Sequence, residues 1–157
     1  MPEPVTRTGS DRRALRVQRG RILLVDEDVS DLQLYASLLR DEGHSVDDCT
    51  TYLEGAQRLE REWYDLVILS QGGQSFQGQP LLERAIELDR RRPVLVLTRA
   101  VDMRSYLDVM YLGAHDYLEK PPAAWEIVST VAHCLGPRIA SAQDAHKRSG
   151  KIGLVSS

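Results

Sequence analysis

Three runs in this chain, Ile22-Leu23-Leu24-Val25, Leu66-Val67-Ile68-Leu69 and Val94-Leu95-Val96-Leu97, are apolar at every position. Successive side chains of a strand point to opposite faces, so such a strand has no face fit for water. It must be covered on both sides, as in a parallel sheet between layers of helices. The rest of the pattern agrees. Five short strand-like runs, about 21–26, 45–49, 65–70, 93–98 and 116–119, alternate with five amphipathic stretches, about 29–42, 51–62, 79–90, 101–112 and 123–135. In the first helix Leu32, Tyr35, Ala36, Leu38 and Leu39 form one apolar stripe, with Asp31, Gln33, Arg40 and Asp41 off it. Ser30 or Asp28 can cap its start and Gly43 can end it, as Gly113 can end the fourth helix. Pro93 opens the fourth strand, where it removes no central ladder bond.

Strict βα alternation implies right-handed crossovers and an α/β, doubly wound parallel sheet. Five strands with five helices suit the flavodoxin-like strand order 2-1-3-4-5, which binds ligands outside the carboxyl ends of its strands. The residues expected there are Asp26 and Glu27 after strand one, Ser70 after strand three, Thr98 after strand four and Lys120 after strand five. Their convergence is a stronger signal than any one of them.

A length of 157 residues suits one domain with tails. Six arginines against Glu3 and Asp11 make residues 1–21 about +4, residues 137–157 are about +3, and the interior is then about −10. The expected division is a basic N-terminal tail over 1–20 without regular structure, a domain over 21–136 and a flexible basic tail over 137–157. With the domain filling most of the chain, no separate output domain is expected. Tails of this kind are usually solvated. No aromatic residue interleaves with the arginines, so nucleic acid is not the expected partner. No apolar run approaches the roughly 20 residues of a membrane span, and no signal-peptide pattern opens the chain, so the expected location is cytoplasmic. Cys49 and Cys134 read as buried thiols in a reducing compartment. His44, His115, His133 and His146 are dispersed and give no metal-ligand spacing. Phosphate-loop, nucleophile-elbow and dinucleotide-binding patterns are absent from the sequence.

The motifs ILLVDED, YDLVILS, VLVLTRA and GAHDYLEKP, spread over about residues 21–135, resemble the response-regulator receiver domain. The resemblance implies roles. Asp26 and Glu27 match the acidic pair that helps hold Mg²⁺. Thr98 and Lys120 match the hydroxyl and the lysine that contact the phosphoryl group. Gly78 matches the glycine that starts the third helix, and Lys120-Pro121 matches a step commonly made through a cis bond. Ser70 stands where the family has its phosphoryl-accepting aspartate. A serine hydroxyl is no match for a carboxylate as nucleophile or as Mg²⁺ ligand, and it cannot form an acyl phosphate. The loop after it, Gln71-Gly72-Gly73-Gln74, and Pro122 after Lys-Pro also depart from the family pattern.

The resulting expectation is a pseudo-receiver: a phosphorylation-independent signalling adaptor of a bacterial two-component-type pathway, and not an enzyme. No cofactor is required. Mg²⁺ at Asp26 and Glu27 would be weak or absent, with Lys120 pairing directly to one of the two. Binding is assigned to the face of helix four, strand five and helix five, through Tyr106, Tyr111, Tyr117 and Trp125, with a signalling protein or a second copy as partner. Leu107, Met110, Ile127, Val128 and Val131 are assigned to the core. Two alternatives stay open. One is a phosphoryl-accepting regulator that uses a substitute residue. The other is a nucleic-acid-binding accessory protein that uses the Arg-rich N-terminal tail.

Overall fold

The computed structural model describes residues 19–73, 75–99 and 102–136. The two expected tails lie outside the described residues, apart from Arg19 and Gly20. Gly20 is already tied to the domain. Its N–H donates to His44 Nδ1 at 3.1 Å, and its carbonyl accepts from Ser45 N at 3.0 Å.

Strands and helices alternate throughout: β1 Arg21–Val25, α1 Val29–Asp41, β2 Ser45–Cys49, α2 Tyr52–Arg61, β3 Leu66–Ser70, α3 Gln79–Leu88, β4 Val94–Thr98, α4 Met103–Tyr111, β5 Asp116–Glu119 and α5 Ala124–Leu135. The strands are parallel in the order β2-β1-β3-β4-β5, as expected. The pleat divides the core into two layers. Ile22, Leu24, Leu66, Ile68, Leu95 and Leu97 pack with Leu32, Tyr35 and Leu39 of α1 and Ile127 and Val131 of α5. Leu23, Val25, Val67, Leu69, Val94 and Val96 pack on the other side with Leu59 of α2, Leu81 and Leu82 of α3 and Val109 of α4. A polar side chain at either parity would be stranded between layers. That is why the three central strands read as apolar throughout.

The differences from expectation are at element ends, and caps explain most of them. Thr51 and Asp102 are not helical. Each is an N-cap, with Thr51 Oγ1 accepting from Glu54 N at 3.1 Å and Asp102 Oδ1 from Ser105 N at 2.8 Å. For α1 the cap is Asp28, not Ser30, and it accepts from Asp31 N at 3.1 Å. β1 stops at Val25, leaving Asp26 as the first loop residue. α3 stops at Leu88, where Asp89 turns extended and accepts from Arg91 N at 2.9 Å. Gly43 and Gly113 take positive φ, 96° and 109°, just past the ends of α1 and α4 as expected.

One core assignment is corrected. Leu107 is 56% exposed, and Val109 is the one residue of α4 that is fully inside. Two residues subtend roughly 200° on a helix, so the line through Val109 turns Leu107 outward. Ile127 and Val131 are buried as expected, and Met110 and Val128 are half-buried. Among the described residues no helix is long and apolar enough to cross a membrane.

Candidate functional site

The register carries β1, β3, β4 and β5 to one edge together, with Val25 opposite Leu69, Ser70 opposite Leu97 and Thr98 opposite Glu119. The chain leaves each strand there. Lys120 sits at the centre. Its Nζ lies 2.6 Å from Asp26 Oδ2, 3.1 Å from Asp31 Oδ2 and 3.2 Å from Ser70 Oγ. The lysine and Asp26 side chains are only 3% and 2% exposed. Asp26 spends its other oxygen, Oδ1, on Asp28 N at 2.9 Å. The Lys120 backbone N–H donates to Thr98 O at 2.6 Å, and the Lys120-Pro121 bond is cis.

Asp26, Ser70, Thr98 and Lys120 are therefore brought together and buried, as expected. Glu27 is not part of this cluster. It is exposed at the mouth, where its charge adds to burial in holding the Tyr52 hydroxyl up at about 12. That hydroxyl donates to Ser70 O at 2.8 Å. Lys120 pairs with Asp26, the first acid of the pair, and takes Asp31 of α1 as its second carboxylate in place of Glu27.

Asp31, which the sequence placed only off the apolar stripe of the first helix, joins the pocket. It stands three residues after the Asp28 cap, in the first turn of α1, so its side chain overhangs the edge where the strands end. Arg99, directly after Thr98, bonds both Asp28 and Asp31 from the opposite loop. Three loops are thus linked by charge over the pocket.

Gln71 was missed as well. Its Oε1 accepts the Tyr117 hydroxyl at 2.9 Å in a buried position. Burial raises the Tyr117 hydroxyl above its ordinary range, and hydrogen bonding with Thr98 opposes this. Tyr117 is itself only 9% exposed, which corrects its assignment to the binding surface. The alternation of β5 turns it inward under α4, where its ring meets Tyr106 edge-on at 5.8 Å. Tyr106, Tyr111 and Trp125 are 39%, 90% and 73% exposed, in keeping with a surface role.

The loop from Gln71 to Gly78 closes through Gln77 N to Gly72 O at 3.2 Å and Gly78 N to Gln71 O at 3.0 Å. Gly78 is required by proximity, since a Cβ there would lie 2.6 Å from Ser70 O and 2.9 Å from Leu69 Cδ1.

Magnesium needs near-octahedral oxygen ligands with carboxylates among them. Both oxygens of Asp26 are committed, Ser70 offers a neutral hydroxyl, and Glu27 stands apart at the mouth. Among the described residues no group of three or more His, Cys, Asp or Glu could hold a metal ion. This donor set does not fit a divalent-cation centre.

A family model described as the response regulator receiver domain matches residues 22–132, all of the sheet but Arg21, with most of its helices. The chain belongs to this receiver-domain family. Its relatives include the transcriptional regulatory protein BasR of Escherichia coli K12, 31% identical over 135 residues, covering 86% of this chain and 57% of the relative. QseB of Escherichia coli O157:H7 is 34% identical over 109 residues, covering 69% of this chain and 50% of the relative. The chain spans about half the length of these curated relatives. A receiver domain from Methanospirillum hungatei superposes with a TM-score of 0.72 at 24% identity, covering 79% of this chain and 99% of that one. A response regulator from Chloroflexus aurantiacus superposes with a TM-score of 0.69 at 27% identity, covering 75% and 98%. The receiver domain is a module of two-component signalling.

Proposed function

We propose that this receiver domain works as a phosphorylation-independent signalling adaptor in a bacterial two-component-type pathway. It binds protein partners through the face made by α4, β5 and α5, and does no chemistry of its own. One observation carries the reading: the Lys120 ammonium beside Ser70, the residue that the resemblance puts at the acceptor position, is already paired with Asp26 and Asp31. The Ser70 hydroxyl faces a cation, not a base that could activate it. Lys120 has no need of a phosphoryl group, and the pocket needs no Mg²⁺ to balance its charge. Tyr106, Tyr111 and Trp125 then supply the exposed anchors of a permanently available surface. A cytoplasmic location is part of the proposal.

The test is intact-mass analysis after incubation with acetyl phosphate and Mg²⁺, with Ser70→Asp beside the native chain. The reading expects an unmodified native chain and a phosphorylated variant. A phosphorylated native chain would overturn it.

A second reading draws on Asp31. This carboxylate lies 3.1 Å from Lys120 Nζ with its side chain 17% exposed, so it is the best-placed substitute acceptor. Phosphorylation of the native chain that vanishes in Asp31→Asn would favour it. A nucleic-acid role rests on the Arg-rich segment before residue 19, outside the described residues, and on relatives named as transcriptional regulatory proteins. Those names leave nucleic acid open as a partner of this chain, against the expectation drawn from composition.

A further inference from the structure

The edge of the sheet opposite the pocket gathers arginines that the domain itself leaves unpaired. Arg21, Arg40, Arg58, Arg84, Arg99 and Lys120 each meet a carboxylate. Arg61, Arg90, Arg91 and Arg92 meet none among the described residues, and all four stand where the chain approaches β3 and β4. The fold brings them together. Glu60 of α2 accepts two bonds of 2.9 Å from Arg84 of α3, which sets the C-terminal ends of the two helices side by side. Arg61 is the last residue of α2, Arg90 and Arg91 follow α3, and all three are exposed. Next to them the Arg92 guanidinium lies over the Trp63 ring, 5.6 Å from its centre, and joins the loop before β4 to the loop before β3. The Trp63 N–H donates to Asp65 Oδ1 at 3.4 Å, which orients the half-buried ring.

Helix C-terminal ends attract cations, but that accounts for only part of the cluster. Arg92 answers the end of α3, donating through Nη2 to Ala85 O at 3.0 Å. Arg90 and Arg91 lie beyond the helix, and among the described residues their side chains bond none of its carbonyls. Arg92 is 5% exposed, and its Nε is buried without a hydrogen-bond partner among the described residues. A buried charge that lacks a counter-charge costs free energy, and an anion brought to the patch offsets part of that cost. The nearby acids are otherwise engaged. Asp65 accepts from Trp63 and from Arg21 N at 2.8 Å, and Asp89 accepts from Arg91 N.

We infer that this edge binds single-stranded nucleic acid, with phosphates at Arg61, Arg90 and Arg91 and a base against Trp63. The guanidinium fork matches phosphate oxygens. Every base has a face that an aromatic ring can take, so the contact needs no particular sequence. The basic segments at the two ends of the chain have no aromatic residue among their arginines, which is what spoke against nucleic acid in the sequence. The fold supplies one by laying Trp63 beside a distant arginine run. The chain also enters β1 and leaves α5 at this edge, so the basic stretches 1–18 and 137–157 continue from it. The site is separate from the α4–β5–α5 face, and neither claim depends on the other. A bilayer fits less well, since it takes up apolar side chains and the exposed one beside the arginines is Leu88, at 39%.

The experiment is fluorescence anisotropy of a labelled thymidine oligomer of about 12 nucleotides, titrated with the full chain at several salt concentrations. Native binding should be weak at physiological salt, with a Kd of roughly 10–100 µM. Arg90→Ala and Arg91→Ala each remove an exposed side chain, and each should lower the slope of log Kd against log salt by about 0.7, one phosphate contact on a single strand. Trp63→Leu should weaken binding about tenfold at an unchanged slope, the mark of a lost base contact and not of a lost charge. In Trp125→Phe the tryptophan left is Trp63, and the oligomer should quench its fluorescence, which reads the same contact with the patch untouched. Arg104→Ala removes an equal charge from the start of α4, at the opposite edge, and should change neither Kd nor slope. Absence of binding, a slope that Arg90→Ala and Arg91→Ala do not lower, an equal loss in Arg104→Ala, or a Trp63 that is not quenched would each overturn the inference. So would a duplex of the same length bound more tightly than the single strand, or phosphatidylserine vesicles held through Arg90 and Arg91 in place of the strand.

Discussion

Lys120→Met tests whether the pocket is held together by charge. The substitution keeps an unbranched side chain in the channel and removes the ammonium. Asp26 then loses the donor at Oδ2 while 2% exposed, and keeps only the Asp28 N–H at Oδ1, 2.9 Å away. Asp31 is better off, since it is more exposed and still has Arg99. Breaking a buried ion pair from one side costs about 3–5 kcal/mol. The retained Asp28 bond sets the expected loss near the lower end, about 3 kcal/mol. For domains of this size that amounts to roughly 10 °C or more in Tm. Adding Asp26→Asn removes the stranded charge while keeping an acceptor for Asp28 N, and should return about half of the loss; the coupling is that recovery of about 1.5 kcal/mol plus whatever Asp26→Asn costs alone. Urea unfolding followed through Trp63 and Trp125 reads these values, provided the slope against urea is unchanged. A loss in Lys120→Met below about 1 kcal/mol, or a double variant equal to the sum of the singles, would refute the reasoning.

Two further outcomes are expected. Burial holds His44 below its ordinary 6.5, so the folded chain favours the neutral ring whose Nδ1 accepts from Gly20. The unfolded chain takes up the proton first, so stability present above that value is lost as pH falls below it; thermal melts between about pH 7.5 and 5 should show the loss, and His44→Asn should flatten it. Gln71→Leu removes the acceptor of the Tyr117 hydroxyl and should cost about 1 kcal/mol. It should also make Tyr117 easier to nitrate, and nitration at the native rate would mean that Gln71 does not hold this ring.

The fold was legible because Ile22–Val25, Leu66–Leu69 and Val94–Leu97 admit no water-facing side, which forces helices onto both faces. The core of the site was legible because it lies at the ends of those strands, where chain order alone places Asp26, Ser70, Thr98 and Lys120. Asp31, Arg99 and Gln71 were not legible. Each acts through a side chain that reaches across to another loop, and periodicity reports which way a residue faces on its own element but not what overhangs it. Leu107 shows the same limit inside one helix. The sequence of α4 holds two apolar lines, Met103-Leu107-Tyr111 and Tyr106-Val109-Met110, and only packing decides which one is inside.

The central claim is that the α4–β5–α5 face of this receiver domain does not wait for a phosphoryl group. Beryllium trifluoride with Mg²⁺ imitates that group on an acceptor carboxylate, and amide NMR spectra recorded with and without it test the claim most directly. The account predicts that the native amides of Thr98, Tyr106 and Tyr117 stay where they are, while those of Ser70→Asp move. Movement of these native amides would contradict it.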